Sequence, residues 1–225
     1  MADKPQIPMI AIDGPSASGK GTVAQLVARQ LGFHYLDSGA LYRVVALAAL
    51  EAGLNLDDEL RVTDIALNIN LKFDGDSVLI GSRDVTDAIR AEAVSGAASQ
   101  VAALPAVRDA LLKRQRAFRR PPGLVADGRD MGSVVFLDAA LKIFLTASPE
   151  ERANRRYKQL MEKGMNANIN TLLQDILDRD TRDTTRAVAP LRKSANAVEI
   201  DTTGMTIAAV VAQVLAQCRH MLRAP

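Results

Sequence analysis

A glycine-rich turn set between an apolar run and a helical pattern constrains this chain more than any other feature. Ile7 to Ile12 is apolar. Gly14-Pro15-Ser16-Ala17-Ser18-Gly19-Lys20-Gly21-Thr22 follows, and Val23, Leu26, Val27 and Leu31 then recur at helical spacing up to Gly32. Strand, glycine-rich turn, lysine and helix together form the context of a phosphate-binding loop. Glycines let backbone N–H groups curl around phosphate oxygens, and the helix N-terminus adds partial positive charge. Lys20 supplies a point charge for β- and γ-phosphates. The hydroxyl arrives one place later than in the generic pattern, at Thr22 after Gly21. Which of Thr22, Ser16 and Ser18 lies nearest a magnesium ion therefore stays open at this point.

The remaining elements point to an α/β fold. Candidate core strands are Ile7–Ile12, Phe33–Leu36, Leu124–Ala126, Lys142–Leu145 and Val198–Ile200. Helical patterns run over Gly21–Leu31, Leu41–Ala52, Leu60–Asn68, Pro105–Arg119, Pro149–Lys163, Thr171–Arg182 and Thr206–Leu222. Their alternation predicts a five-stranded parallel sheet with helices on both faces. Ser148-Pro149-Glu150-Glu151 reads as a capping box. Lys72 to Ile80, alternating around Asp74-Gly75, reads as an antiparallel hairpin inserted into that rhythm. Met165 to Asn170 is a polar break between two helices, suited to a mobile lid.

Composition narrows the function classes. The chain has 225 residues and a net charge of +2, too small to argue for a nucleic-acid partner. Aromatics are scarce, which speaks against a nucleic-acid-dependent ATPase. No window approaches a membrane span, and Met1 to Gln6 lacks a secretory pattern. The single Cys218 lies in an apolar helical stripe and suits a packed thiol in a reducing, cytoplasmic setting. His34 and His220 stand alone, without metal-ligand or triad spacing.

Charged residues gather where an open α/β sheet binds ligands. Asp37 and Ser38 follow the second strand, either capping the next helix or meeting a ligand. Arg43, on a helix of alanine and leucine, reads as a guanidinium aimed at a second phosphate. Asp127 ends the third strand as an acidic group that organises magnesium, directly or through water. Arg129 and Asp130 then sit on a glycine-flanked loop, either free to face a ligand or joined in a local surface ion pair. Arg152, Arg155 and Arg156 share one helix face, and Arg179, Arg182 and Arg186 repeat at steps of three and four. Such runs are ordinarily solvated faces. Beside a nucleotide loop they suit phosphoryl transfer, where catalysis is positioning and charge stabilisation, and a closing lid excludes water.

The segments Gly14 to Thr22, Asp37 to Arg43, Ala98 to Val101, Arg114 to Phe118, Asp127 to Gly132 and Arg186 to Leu191, in this order, resemble the bacterial cytidylate kinases. These are nucleoside monophosphate kinases with a P-loop kinase fold. The resemblance runs over nearly the whole chain. It implies ATP-dependent conversion of CMP and dCMP to diphosphates in pyrimidine metabolism, with ATP and Mg2+ as cofactors, by a cytoplasmic monomer. It also implies one domain over 1–225, with core segments 7–36, 122–150 and 190–225. A nucleoside-monophosphate-binding insertion covers about 37–121, and a short helical lid about 151–189.

By the same resemblance, residues 14–22 with Arg155 and Arg156 hold ATP. Ser38, Arg43, Ser99, Arg108, Arg129, Asp130, Arg179, Asp183 and Arg186 surround CMP, and Lys20, Arg129, Arg179 and Arg182 carry catalysis. Asp130 accepts from the cytosine amino group, Arg108 and Ser99 donate to the base, and Asp183 with Arg186 takes the sugar. Ser99 and Arg108 fall on helical segments, where a satisfied core serine and a solvated arginine are the plain readings. A kinase for UMP or another small molecule is the nearest rival. A GTP-binding switch is the distant one, since no Asn-Lys-x-Asp motif follows a later strand.

Overall fold

The computed structural model describes residues 7–75, 77–162 and 164–223. The readings of residues 1–6, of Lys163 and of the His220 side chain lie outside the described residues. The chain divides into two compact units, one running to Leu36 and resuming at Ala117, the other Asp37–Arg116.

The first unit opens with β1 (Met9–Asp13), every residue of which is buried, and α1 (Lys20–Leu31). Gly32 closes α1 in the left-handed region at φ 67°, with its N–H returned to Ala28 and Arg29 carbonyls. β2 (His34–Asp37) follows.

In the second unit, α2 (Ser38–Glu51) starts three residues before the predicted Leu41, because the Asp37 carboxylate caps the Ala40 N–H at 3.0 Å. α3 (Glu59–Asn68) comes next. The predicted hairpin is present as β3 (Leu71–Asp74) and β4 (Ser77–Ile80), turning at Gly75 with φ 59°. A third antiparallel strand, β5 (Arg83–Asp84), is too short to read from sequence. α4 (Glu92–Val101) packs against α2, and α5 (Pro105–Arg116) against α3. α5 stops before the predicted Arg119.

The chain returns to the first unit with β6 (Leu124–Gly128), then a wide π-type turn over Met131–Val135 and β7 (Leu141–Thr146). Helices α6 (Pro149–Glu162) and α7 (Ile169–Thr185) precede β8 (Val198–Asp201) and α8 (Ile207–Arg223). The Ser148 hydroxyl accepts the Glu151 N–H, as the capping box requires. α7 is longer than the predicted Thr171–Arg182, because Asn168 caps its start with two accepted N–H bonds.

The five strands form a parallel sheet in the order β2-β6-β1-β7-β8, flanked by helices. β1 sits at its centre. Ile10, Ile12, Val125, Ile143 and Leu145 pack with Val23 and Val27 of α1 and Val210, Val214 and Cys218 of α8. Each such side chain contributes about 1.5–3 kcal/mol by leaving water. Cys218 is a core thiol, with its pKa pushed up by burial to about 11. The carboxyl ends of β1 and β6 thus lie side by side on a rigid base.

Candidate nucleotide-binding site

The turn after β1 is built for backbone approach. A Cβ at Gly14 would stand 2.1 Å from the Leu145 carbonyl oxygen, so no other residue fits there. Gly19 has φ 86°, and Ala17 adopts a left-handed φ of 57° that a side chain rarely takes. Lys20 is the first residue of α1, and its ammonium donates to the Pro15 carbonyl at 3.2 Å, across the mouth of the turn. The Ser18 hydroxyl is buried and meets no protein partner. A buried hydroxyl of this kind is costly unless something accepts from it or donates to it, and an anion oxygen bound in the loop would do so.

Asp127 and Asp13 end the neighbouring strands β6 and β1. Asp127 is buried, and one of its oxygens accepts the Tyr35 hydroxyl at 2.7 Å. Its other oxygen lies 3.8 Å from where a Gly21 Cβ would stand, so the carboxylate is beside the head of α1. Among the described residues no cluster of three or more metal-type side chains exists. Magnesium bound mainly by phosphates and water needs only one carboxylate and a nearby hydroxyl, so these residues fit that ion. Thr22 is exposed and Ser18 buried, which makes Ser18 the hydroxyl already inside the loop.

Arg129 corrects the expectation of a free loop arginine. Its Nε donates to the Asp183 carboxylate on α7 at 2.7 Å, and both side chains are largely buried. Burial works against the charge of Arg129, yet Asp183, with Asp127 and Asp180, more than offsets it and raises the pKa. Burial likewise opposes ionisation of Asp183, but Arg129, Arg179 and Arg186 hold its carboxyl below the ordinary range. Three guanidinium groups therefore act on one carboxylate, Arg129 by direct contact and Arg179 and Arg186 through their charge. Asp130, next to Arg129, is buried as well.

The first arginine face on α6 is not a solvated one. Arg152 is buried, pairs with Asp180 of α7, and donates to the carbonyls of Ala147 and Ser16. Arg155 donates to the Ser18 carbonyl and to Thr202, and pairs with Glu151. Both thus hold the outside of the phosphate loop. Arg156 is half-buried, Arg179 half-buried and Arg182 exposed. Sequence reasoning left Asp13, Asp180 and Thr202 out of the site and gave Arg152 no binding role. Only the position of Asp13, one residue before Gly14, could have flagged it.

In the second unit the plain readings of two residues fail. The Ser99 hydroxyl is buried without a partner, so the core does not satisfy it. Arg108 is 6% exposed rather than solvated; it donates to the Ala102 carbonyl at 3.1 Å and lies 5.8 Å above the Tyr42 ring. Arg43 pairs with Asp37 at 2.5 Å, so Asp37 caps α2 and anchors an arginine at once, while the buried Arg43 Nε meets no partner. Ser38 is buried in the first turn of α2. His34 Nε2 donates to the Pro121 carbonyl, 2.9 Å away, a structural tie.

A glycine-rich phosphate loop heading a helix beside the central strand of a five-stranded parallel sheet defines a P-loop α/β protein. A profile of the cytidylate kinase family matches residues 10–220, and the chain belongs to that family. A cytidylate kinase from Nitrosomonas europaea is 55% identical over 95% of this chain and 96% of its own. One from Bordetella pertussis is 59% identical over 92% and 93%. Among solved structures, an uncharacterised protein from Eubacterium ventriosum aligns over 96% of this chain and 99% of its own, with a TM-score of 0.52 and 12% identity, which speaks to fold alone.

Proposed function

We propose that the protein transfers the γ-phosphoryl group of ATP to CMP and dCMP, giving ADP and the corresponding diphosphate. The observation that carries this reading is the convergence of Arg129, Arg179 and Arg186 on Asp183, in the unit that also holds the phosphate loop. Asp127 and Asp180 also act on Arg129, and Arg152 ties Asp180 to the Ser16 carbonyl, so this cluster of arginines and carboxylates is joined to the phosphate loop and suits a phosphorylated acceptor. A loop for the donor and a basic cluster for a phosphorylated acceptor are the parts of a kinase acting on a monophosphate.

In this reading residues 14–22, with Arg155 and Arg156, bind the donor, and Lys20 draws charge from its terminal phosphates. Arg129 and Arg179 hold the acceptor phosphate, while Asp183 and Arg186 take the sugar. Asp130 accepts from the cytosine amino group. In the second unit, the unpartnered Ser99 hydroxyl and the buried Arg108 are suited to a pyrimidine base, and Arg43, with Ser38 at the head of α2, to a phosphate. Residues 37–121 act as the monophosphate-binding insertion, and 151–189 as the lid, with Arg182 brought to the reaction from its exposed helix face. Asp127, directly or through water, would hold Mg2+, which would supply charge neutralisation for the donor phosphates. No general base is needed, because the attacking phosphate oxygen, with a second pKa near about 6, is already largely ionised. A cytoplasmic monomer is the setting we assign; among the described residues no helix is long and apolar enough to cross a membrane.

Initial rates of ADP release with CMP, dCMP, UMP, AMP, GMP and TMP test the proposal. The two cytidine substrates should exceed the others in kcat/KM. A preference for UMP would leave the kinase reading standing and remove the assignment of Asp130 to cytosine.

A further inference from the structure

We infer that Asp13 is a positioning residue for the acceptor nucleotide: its carboxylate clamps the turn that carries Arg129 and Asp130. Both oxygens are in use. Oδ1 accepts the Met131 N–H and Oδ2 the Gly132 N–H, each at 2.8 Å and each buried. These two N–H groups open the π-type turn directly after Asp130, whose own carbonyl accepts from Val134 and Val135. The turn has little room to move: a Cβ at Gly132 would stand 3.1 Å from the Lys142 side chain and 3.5 Å from Ala11 Cβ. Arg129 and Asp130 therefore occupy a short span fixed at one end by β6 and at the other by Asp13.

An ionised carboxylate is an expensive way to satisfy two amides in a dry site. Burial pushes the Asp13 pKa up to about 6, with the two N–H bonds and Arg129 pulling against burial and Asp130. Asparagine offers only one acceptor atom, and its amide nitrogen would face a backbone donor. The geometry thus needs two acceptor oxygens at one point, and aspartate is the shortest side chain that provides them. Asp13 touches no substrate in this account. It acts through Asp130 and Arg129, and so the inference rests on the acceptor-site reading given above.

The test compares Asp13→Asn with wild type, measuring kcat and the separate KM values for CMP and ATP, alongside Asp130→Asn as an independent arm. Loss of one clamp bond should raise the CMP KM about ten-fold and leave the ATP KM within about two-fold. It should also narrow the CMP-to-UMP ratio. Equal losses for ATP and CMP would mean that Asp13 supports the adjacent phosphate loop instead, and would overturn the inference. So would an unchanged variant. Should Asp13→Asn fail to fold, amide hydrogen exchange of wild type decides. Met131 and Gly132 should be protected to core levels, and exchange at open-loop rates would refute the clamp. If Asp130→Asn leaves the CMP-to-UMP ratio intact, the base reading falls, while the CMP-against-ATP split still judges Asp13.

Discussion

Two buried carboxylates, Asp13 and Asp183, carry opposite electrostatic consequences. Asp183 sits among guanidinium groups that hold its pKa down, so it stabilises the fold above the ordinary carboxylate range and loses that contribution as acid protonates it. Asp13 is raised from 3.8 to about 6, so the native state binds its proton more tightly than the unfolded chain does. Stability linked to Asp13 is full below its unfolded value and is lost as pH rises through about 6. Wild type should therefore lose about 2–3 kcal/mol of stability relative to Asp13→Asn between roughly pH 4 and pH 6, with little change above. Asp183 is common to both proteins and cancels in the difference. Denaturant unfolding of the pair across that range checks the sign; a difference that grows in favour of wild type would contradict it. Spending stability at pH 7 on Asp13 accords with a positioning role.

At the scale of elements, α6 and α7 are joined through Arg152 and Asp180, and that pair is anchored on the Ser16 carbonyl of the phosphate loop. Arg152→Met should cost about 3 kcal/mol of stability, because it strands Asp180 and removes four donated bonds from a buried site. A melting shift no larger than that of a surface substitution would show the pair to be dispensable. Arg179 and Arg182 make the complementary comparison. Arg179→Ala should lower kcat by about three powers of ten or more, a far larger effect than its loss of about 1 kcal/mol of stability from one charge fewer beside Asp183. Arg182→Ala should lose less, since that side chain is exposed. Full activity in both variants would return α7 to the role of a solvated helix.

These elements also show what periodicity carries. Strands β1 and β7 and helices α1 and α8 are apolar at the right spacing, and they are the pieces of one core cluster. α4 escaped a periodicity reading because Ala, Ser and Gly dominate it and give little contrast between faces. β5 holds only Arg83 and Asp84, and the π-type turn has no residue code. In the site, the loop from Gly14 to Thr22 was legible because its chemistry is local. Arg129 on Asp183, and Asp13 beneath Met131 and Gly132, are long-range pairings that only the folded chain brings together.

For the whole molecule, the family match over residues 10–220 spans both compact units. The first contains the sheet, the phosphate loop and the arginine cluster around Asp183. The second contains the antiparallel sheet and the buried polar pair of Ser99 and Arg108. Phosphoryl transfer demands that the donor's terminal phosphate reach another phosphate without passing to water, the task for which the proposed lid and acceptor site are assigned.

The most direct measurement follows the phosphoryl group itself. Protein, Mg2+, CMP and ATP labelled at the γ-phosphate should yield label in the β-phosphate of CDP, dependent on CMP, and Lys20→Ala should abolish it while remaining folded. Label released as inorganic phosphate, or transfer undiminished in Lys20→Ala, would contradict the account.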